Sequence, residues 1–223
     1  MSDDLYKRAG VEDLSEFYRT KFVSDEVLDA RYFRALDRFD MRFARTMWVY
    51  DNVRAGSSVL DLGCGAGMLA LLKRKGVTLA GVDLSSEGAL ASRRNGYDLT
   101  CAAVLTRLPF KDNSFDYVVS LDVLGHVAFE EKDAVLSEIR RVLRPGGVAI
   151  IYEDIPATLW DRFICWTHDL KWRKRTGACT FRSESDWLKV FESAGFKIIH
   201  ERQLARLRNL THPVCRRFFL LNC

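Results

Sequence analysis

The chain has 223 residues, 48% of them hydrophobic and 29% charged, with only 4 prolines. That balance supports one globular core with at most a small cap and excludes a disordered or fibrous chain. A formal net charge of +4 is too small to imply a nucleic-acid partner by itself, yet it is unevenly spread: residues 156–223 hold 13 Lys/Arg against 6 Asp/Glu, and residues 1–155 hold 21 against 24.

The opening MSDDLYKRAG has early acids and no apolar run behind a basic start, unlike a signal or transit peptide. No stretch approaches the ~18 apolar residues of a membrane span, so the expectation is a cytoplasmic protein. The 6 cysteines include no CxxC pair, and they read as reduced thiols rather than a metal or redox site. From Asp4 to Val53 the period is helical, with Tyr32, Leu36, Phe39, Phe43, Met47 and Tyr50 expected to face inward. Arg31, Arg34, Arg38, Arg42 and Arg45 trace a second stripe, either a solvated face or a hold for an acidic ligand.

After Gly56 short β runs alternate with helical ones. Strands are expected at Ser58–Leu62, Thr78–Asp83, Leu99–Ala103, Tyr117–Leu121 and Val148–Glu153, apolar enough to be buried on both faces. Helices are expected at Met68–Lys75, Glu87–Asn95 and Glu130–Leu143, closed by Gly76, Gly96 and Arg144-Pro145-Gly146-Gly147. Ser183 with Asp186 resembles a capping box that opens a helix ended by Gly195, and Lys197–Leu204 and Arg216–Leu221 read as closing strands. This is the grammar of a doubly wound α/β domain. The organisation is a helical cap over residues 1–55 and one α/β domain over 56–223, with an insertion at 155–181 lying over the strand ends. The insertion places Leu159, Phe163, Trp166 and Leu170 at helical spacing before the basic run Lys171-Trp172-Arg173-Lys174-Arg175.

Chemistry concentrates where the first strand meets its helix. Asp61-Leu62-Gly63-Cys64-Gly65-Ala66-Gly67 gives a turn whose glycines let backbone approach a ligand, at the N-terminus of a helix. A dinucleotide fingerprint needs Gly or Ala where Met68 stands, which disfavours NAD. Asp83, 20 residues beyond Gly63, ends the second strand where a ribose diol is held in this geometry.

With Gly81-Val82-Asp83-Leu84-Ser85, Leu108-Pro109-Phe110, Ser114 to Ser120, Val123-Leu124-Gly125-His126-Val127 and Arg141 to Gly147 following in order, the stretch from Gly56 to Glu153 resembles the class I S-adenosylmethionine-dependent methyltransferases. Within them it is similar to the small-molecule group that includes ubiquinone and menaquinone biosynthesis enzymes. The resemblance implies a seven-stranded sheet in the order 3-2-1-4-5-7-6, strand 7 antiparallel. It implies S-adenosylmethionine as methyl donor and S-adenosylhomocysteine as product. Gly63, Cys64 and Gly65 would line the methionine part, Asp61 would reach its amino group, Asp83 the ribose, and Leu84 the adenine. Leu105 would offer backbone to the adenine edge and the Leu121 carbonyl would accept from the amino group. Two departures stand out. Val104 occupies a position that is acidic in many relatives, and Gly125 replaces the Glu of Leu-Glu-His.

The expected function is methyl transfer to a small organic acceptor at O, N or C, with His126 as candidate base and Asp122 second. His168, His200 and His212 read as surface or packing residues. No Asn/Asp-Pro-Pro-Tyr/Phe follows the fourth strand, and no Pro-Cys pair offers a thiolate for cytosine chemistry. Tyr6, Tyr18, Tyr32, Trp160, Trp166 and Trp172 read as the core of a cap or as an acceptor pocket. The alternatives are an RNA methyltransferase using the basic C-terminal third, and a protein that binds S-adenosylmethionine without turnover.

Overall fold

The computed structural model describes residues 41–127, 130–176, 183–204 and 214–223. Most of the helical cap, with Tyr6, Tyr18, Tyr32, Arg31, Arg34 and Arg38, lies outside the described residues, as do His212 and the side chains of Arg42, His168 and Trp172.

Seven strands form one sheet: β1 (Ser58–Leu62), β2 (Thr78–Asp83), β3 (Leu99–Ala102), β4 (Phe115–Leu121), β5 (Leu143–Asp154), β6 (Lys197–Leu204) and β7 (Arg216–Asn222). Their order is β3-β2-β1-β4-β5-β7-β6, as the resemblance implied. The first five are mutually parallel, and β7 runs antiparallel to both β5 and β6. Among the described residues five α-helices accompany them: α1 (Met41–Asn52), α2 (Ser86–Arg94), α3 (Lys132–Val142), α4 (Leu159–Thr176) and α5 (Glu184–Ser193).

Period-two alternation splits the strands between two cores. Leu60, Val82, Val118 and Ile151 pack on one face with Leu136 and Ile139 of α3 and Trp187 and Phe191 of α5. Val59, Leu79, Val119 and Ile150 pack on the other with Trp48 and Val49 of α1. Each such side chain taken fully from water contributes roughly 1.5–3 kcal/mol. In α3 the buried Val135, Leu136, Ile139 and Val142 recur at helical spacing and make its inner stripe.

The helix boundaries follow local chemistry. The Ser85 hydroxyl caps α2 by accepting from Gly88 N–H at 3.1 Å. Ser183 caps α5, accepting from Asp186 N–H at 3.3 Å, and Gly195 at φ +78° ends the turn. Three expectations change. Residues Met68–Lys75 form a 3-10 helix rather than an α-helix, opened and closed by Gly67 and Gly76, both left-handed. Strand β5 starts at Leu143, because Leu143 already pairs with Phe115 of β4, and the Arg144–Gly147 segment bulges out before pairing resumes at Tyr117 with Val148. On α1 it is Trp48 and Val49 that are buried, with Val53 just past its end, while Met47 and Tyr50 are half-covered. Trp48 sets this rotation by stacking on Phe218 of β7 at 4.1 Å between ring centroids.

Candidate functional site

The strand order reverses at β1, flanked by β2 and β4, so the crevice beyond its carboxyl end is where a ligand fits in this architecture. Carboxylates gather at that end of the sheet, among them Asp61, Asp83, Asp122 and Glu153.

Asp83 is 7% exposed and is held between two loops. Its Oδ2 accepts from Gly65 N–H at 2.8 Å and its Oδ1 from Ser85 N–H at 2.9 Å. A carboxylate has about four acceptor positions, enough to hold both loops and a ligand diol at once. The glycine turn is drawn tight around it. Gly63, Gly65 and Gly67 all have positive φ. A Cβ on Gly63 would stand 2.6 Å from Val123 Cγ2, and one on Gly67 would stand 2.9 Å from Ser92 Cα. Only glycine permits both the conformation and the approach.

Asp61 lies deeper, 4% exposed, and its Oδ2 accepts from the Tyr97 hydroxyl at 2.6 Å. That hydroxyl in turn accepts from Leu69 N–H at 3.2 Å, which ties the second strand's crossover to the start of the 3-10 helix. Burial pushes the Asp61 carboxyl up to about 7, against the lowering effects of the Tyr97 hydrogen bond and the Arg45 charge. Cys64 is buried beside it, and burial raises its thiol far above the ordinary range, so it packs rather than reacts.

Beyond β4 the chain turns sharply. Asp122 has φ +59° and donates its N–H to the Tyr152 carbonyl at 2.9 Å, and a short 3-10 turn, Leu124–His126, follows. Glu153 of β5 organises this turn from beneath: Oε1 accepts from Val123 N–H at 3.1 Å and Leu124 N–H at 2.8 Å, Oε2 from Gly125 N–H at 3.1 Å. Burial, and then the nearby Asp122 charge, raise its carboxyl to about 8. The carboxylate absent from position 125 thus has a counterpart on the neighbouring strand. A Cβ at Gly125 would lie 3.1 Å from Glu153 Oε2.

From α1, Arg45 pairs with Asp122 through Nη1 and reaches Met68 Sδ with Nη2 at 3.2 Å. The arginine stripe is therefore not wholly a solvated face. His126 and Leu121 are half-buried on this side, and Leu84 and Leu105 are half-buried at the ends of β2 and β3, Leu105 packed on the core. Val104 is 40% exposed. His200 of β6 is exposed and lies 6.4 Å from the Trp48 ring, a packing position. Trp160 and Trp166 are each 57% exposed and so do not form the core of a cap.

Three functional residues escape sequence reading. Tyr97 belongs to no motif and reads as one more core aromatic. Glu153 had a signal, an acid ending an apolar strand at the same edge as Asp83. Arg45 was visible only as one member of a periodic stripe.

Sugar hydroxyls and an ammonium or sulfonium group need acceptors and negative charge, which Asp61 and Asp83 supply. The site therefore fits S-adenosylmethionine.

Comparison with known proteins points the same way. Residues 60–151 match the family described as a methyltransferase domain. The sterol 24-C-methyltransferase ERG6B of Gibberella zeae is 27% identical over 229 residues, covering 96% of this chain and 56% of that protein. The sterol 24-C-methyltransferase of Schizosaccharomyces pombe is 30% identical, covering 92% and 53% respectively, so this chain spans about half the length of the curated relatives it matches. Geranyl diphosphate C-methyltransferase from Streptomyces coelicolor, solved with S-adenosyl-L-homocysteine, superposes with a TM-score of 0.72 over 97% of this chain and 99% of its own. At 13% identity that likeness is one of fold. Because the matched stretch runs from β1, which leads into the glycine turn, to β5, and so takes in Asp83 and the Asp122 loop, residues 60–151 are a methyltransferase domain of the S-adenosylmethionine-dependent kind.

Proposed function

We propose that the chain transfers a methyl group from S-adenosylmethionine to a small apolar acceptor, at carbon. The observation that carries the cofactor half is Asp83, a buried carboxylate fixed by Gly65 and Ser85 at the switch point. The acceptor half rests on the sterol relatives and on the geranyl diphosphate enzyme of the same fold.

In this reading Asp83 takes the ribose hydroxyls, and Asp61 with the Gly63–Cys64–Gly65 backbone takes the methionine end. Leu84, Leu105 and the Leu121 carbonyl border the remainder. When bound, the cofactor supplies an already activated methyl on a sulfonium and leaves as S-adenosylhomocysteine. The chain's part is to align the acceptor carbon for in-line attack and to exclude water, which together supply much of the rate. An acceptor that gives an electron pair to the new C–C bond must afterwards shed a proton. His126 is the residue assigned to take it, with a side chain that titrates near neutrality in its ordinary state. Asp122 is committed to Arg45 and serves as the electrostatic neighbour rather than the first base.

Calorimetric titration with S-adenosylmethionine and S-adenosylhomocysteine tests the cofactor half, beside Asp83→Asn and Asp83→Ala. Affinity should fall at least roughly tenfold in both variants, in keeping with loss of charge-assisted hydrogen bonds. Transfer of labelled methyl to sterol and terpenoid acceptors tests the other half. Unchanged affinity in a folded Asp83→Asn protein would overturn the assignment.

A further inference from the structure

We propose that α4 is a membrane-docking helix, which lies in the interface of an anionic lipid bilayer and presents the acceptor side of the crevice to it. The proposal does not depend on which acceptor is methylated.

Helix α4 is built inside out. At about 100° per residue, Leu159, Trp160, Phe163, Trp166 and Leu170 share an arc of about 120° opposite Asp161 and Cys165. The inward pair is buried, at 0% and 3% exposure, while the five apolar side chains are 82%, 57%, 49%, 57% and 53% exposed. Their rings make one continuous surface: Trp160 and Phe163 lie 5.8 Å apart by centroid, Phe163 and Trp166 6.0 Å. A large contiguous apolar patch of this kind marks an interaction site.

The helix is held so that this stripe points out. Asp161 Oδ2 accepts from Ala157 N–H at 3.0 Å, Thr158 N–H at 2.9 Å and the Thr158 hydroxyl at 2.9 Å, and Thr158 Oγ1 accepts from Asp161 N–H at 3.2 Å. This reciprocal cap pins the first turn directly after β5, whose last residue is Asp154. The stripe therefore starts at the edge of the sheet that carries Asp122 and Glu153.

Chemistry selects the occupant. Three of the chain's 5 tryptophans lie on this helix, and tryptophan favours the headgroup boundary of a bilayer. The helix sequence holds five Lys/Arg against two Asp, four of the basic residues gathered between Lys171 and Arg175. An apolar aromatic stripe that continues into a basic run is complementary to an anionic lipid surface. Among the described residues no helix is long and apolar enough to cross a membrane, so contact is with the surface.

The test is co-sedimentation of the full chain with phosphatidylcholine vesicles, with and without phosphatidylserine, using the wild type and a Trp160→Ser/Phe163→Ser/Trp166→Ser variant. The net basic charge of the helix predicts binding on the order of 100-fold tighter to the anionic vesicles, weakening with salt. The triple variant replaces exposed side chains, so its thermal transition should match wild type while its vesicle binding disappears. Acyl chains brominated near the headgroup should quench tryptophan emission on binding. Trp48 and Trp187 are buried at 5% and 1% exposure, so that quenching reports α4. Absence of binding to anionic vesicles at low salt, or equal binding by the triple variant, overturns the proposal. A wild-type dimer that the triple substitution dissolves, with no vesicle binding, would assign the stripe to a second copy and also overturn it.

Discussion

Replacing Asp61 by Asn should make the protein more stable at pH 8, by a margin that shrinks steadily toward pH 4. The carboxyl is raised from 3.8 to about 7, chiefly by burial. A shift of about three units, at about 1.4 kcal/mol each, makes the ionised group cost the fold on the order of 4 kcal/mol. The folded state binds this proton more tightly than the unfolded chain does. The associated stability is therefore complete below pH 4 and is lost as pH rises through 7. The amide of the Asp61→Asn variant has no such proton. It keeps an oxygen for the Tyr97 hydroxyl, so below pH 4 the difference from wild type should be within about 1 kcal/mol, opening to roughly 2 kcal/mol at pH 5. At pH 8 the variant should lead by roughly 4 kcal/mol. Urea unfolding across this range measures the difference directly, and the contribution of Glu153, present in both proteins, cancels. Cofactor binding should show the opposite preference. A cation placed beside Asp61 lowers its pKa, so wild type at pH 7 should release about half a proton on binding S-adenosylmethionine. Calorimetry in two buffers of different ionisation enthalpy reads that number, and the Asn variant should bind weakly and release none through this site. A stability difference that does not vary with pH would refute the reasoning, because it would mean that Asp61 is not held protonated by its surroundings.

Glu153→Ala should cost about 3 kcal/mol or more in chemical denaturation, since it leaves the amides of Val123, Leu124 and Gly125 without their acceptor, while Glu153→Gln should recover most of that loss. Because burial raises Glu153 to about 8, wild-type stability from this group should be full below its unfolded value near 4.5 and fall as pH passes 8. Gly63→Ala sets a Cβ 2.6 Å from Val123 at φ +65° and should lower cofactor affinity at least roughly tenfold. Gly76→Ala, at φ +68° with nothing within 4 Å, should cost only about 1 kcal/mol of stability and leave titration with the cofactor unchanged.

The sheet was legible because a parallel strand buried on both faces has no choice but a run rich in Val, Ile and Leu, and every run in 56–154 except β3 ends at a glycine or an acid. The loops were legible for the same reason at Gly63 to Gly67, where conformation and close approach leave one residue type. Helix character between Met68 and Lys75 was read correctly in extent and not in kind. Period alone does not separate a 3-10 ladder from an α ladder when left-handed glycines bracket eight residues. The orientation of α4 was illegible on different grounds. Leu159, Phe163, Trp166 and Leu170 have the spacing of a core stripe, and nothing in spacing says which side the body lies on. Asp161 and Cys165 decide it, and a buried, capping Asp is not distinguishable in sequence from a solvated one. Tyr97 and Glu153 act through contacts 36 and 28–30 positions away in the chain, respectively, which no local pattern encodes.

Glu153 and Gly125 also constrain each other through substitution order. A Cβ at 125 would meet the Glu153 carboxyl at 3.1 Å, and an acidic side chain would bring a second carboxyl group into the same buried space. Restoring the Leu-Glu-His pattern by changing Gly125 alone is therefore opposed, since the Glu153 side chain must give by a few tenths of an ångström, and losing Glu153 alone strips the turn of its acceptor. Only a paired exchange passes between the two arrangements without crossing a damaged intermediate. The carboxyl group rides on a central strand rather than on the loop, so the acceptor for the turn that holds His126 stays where the sheet fixes it.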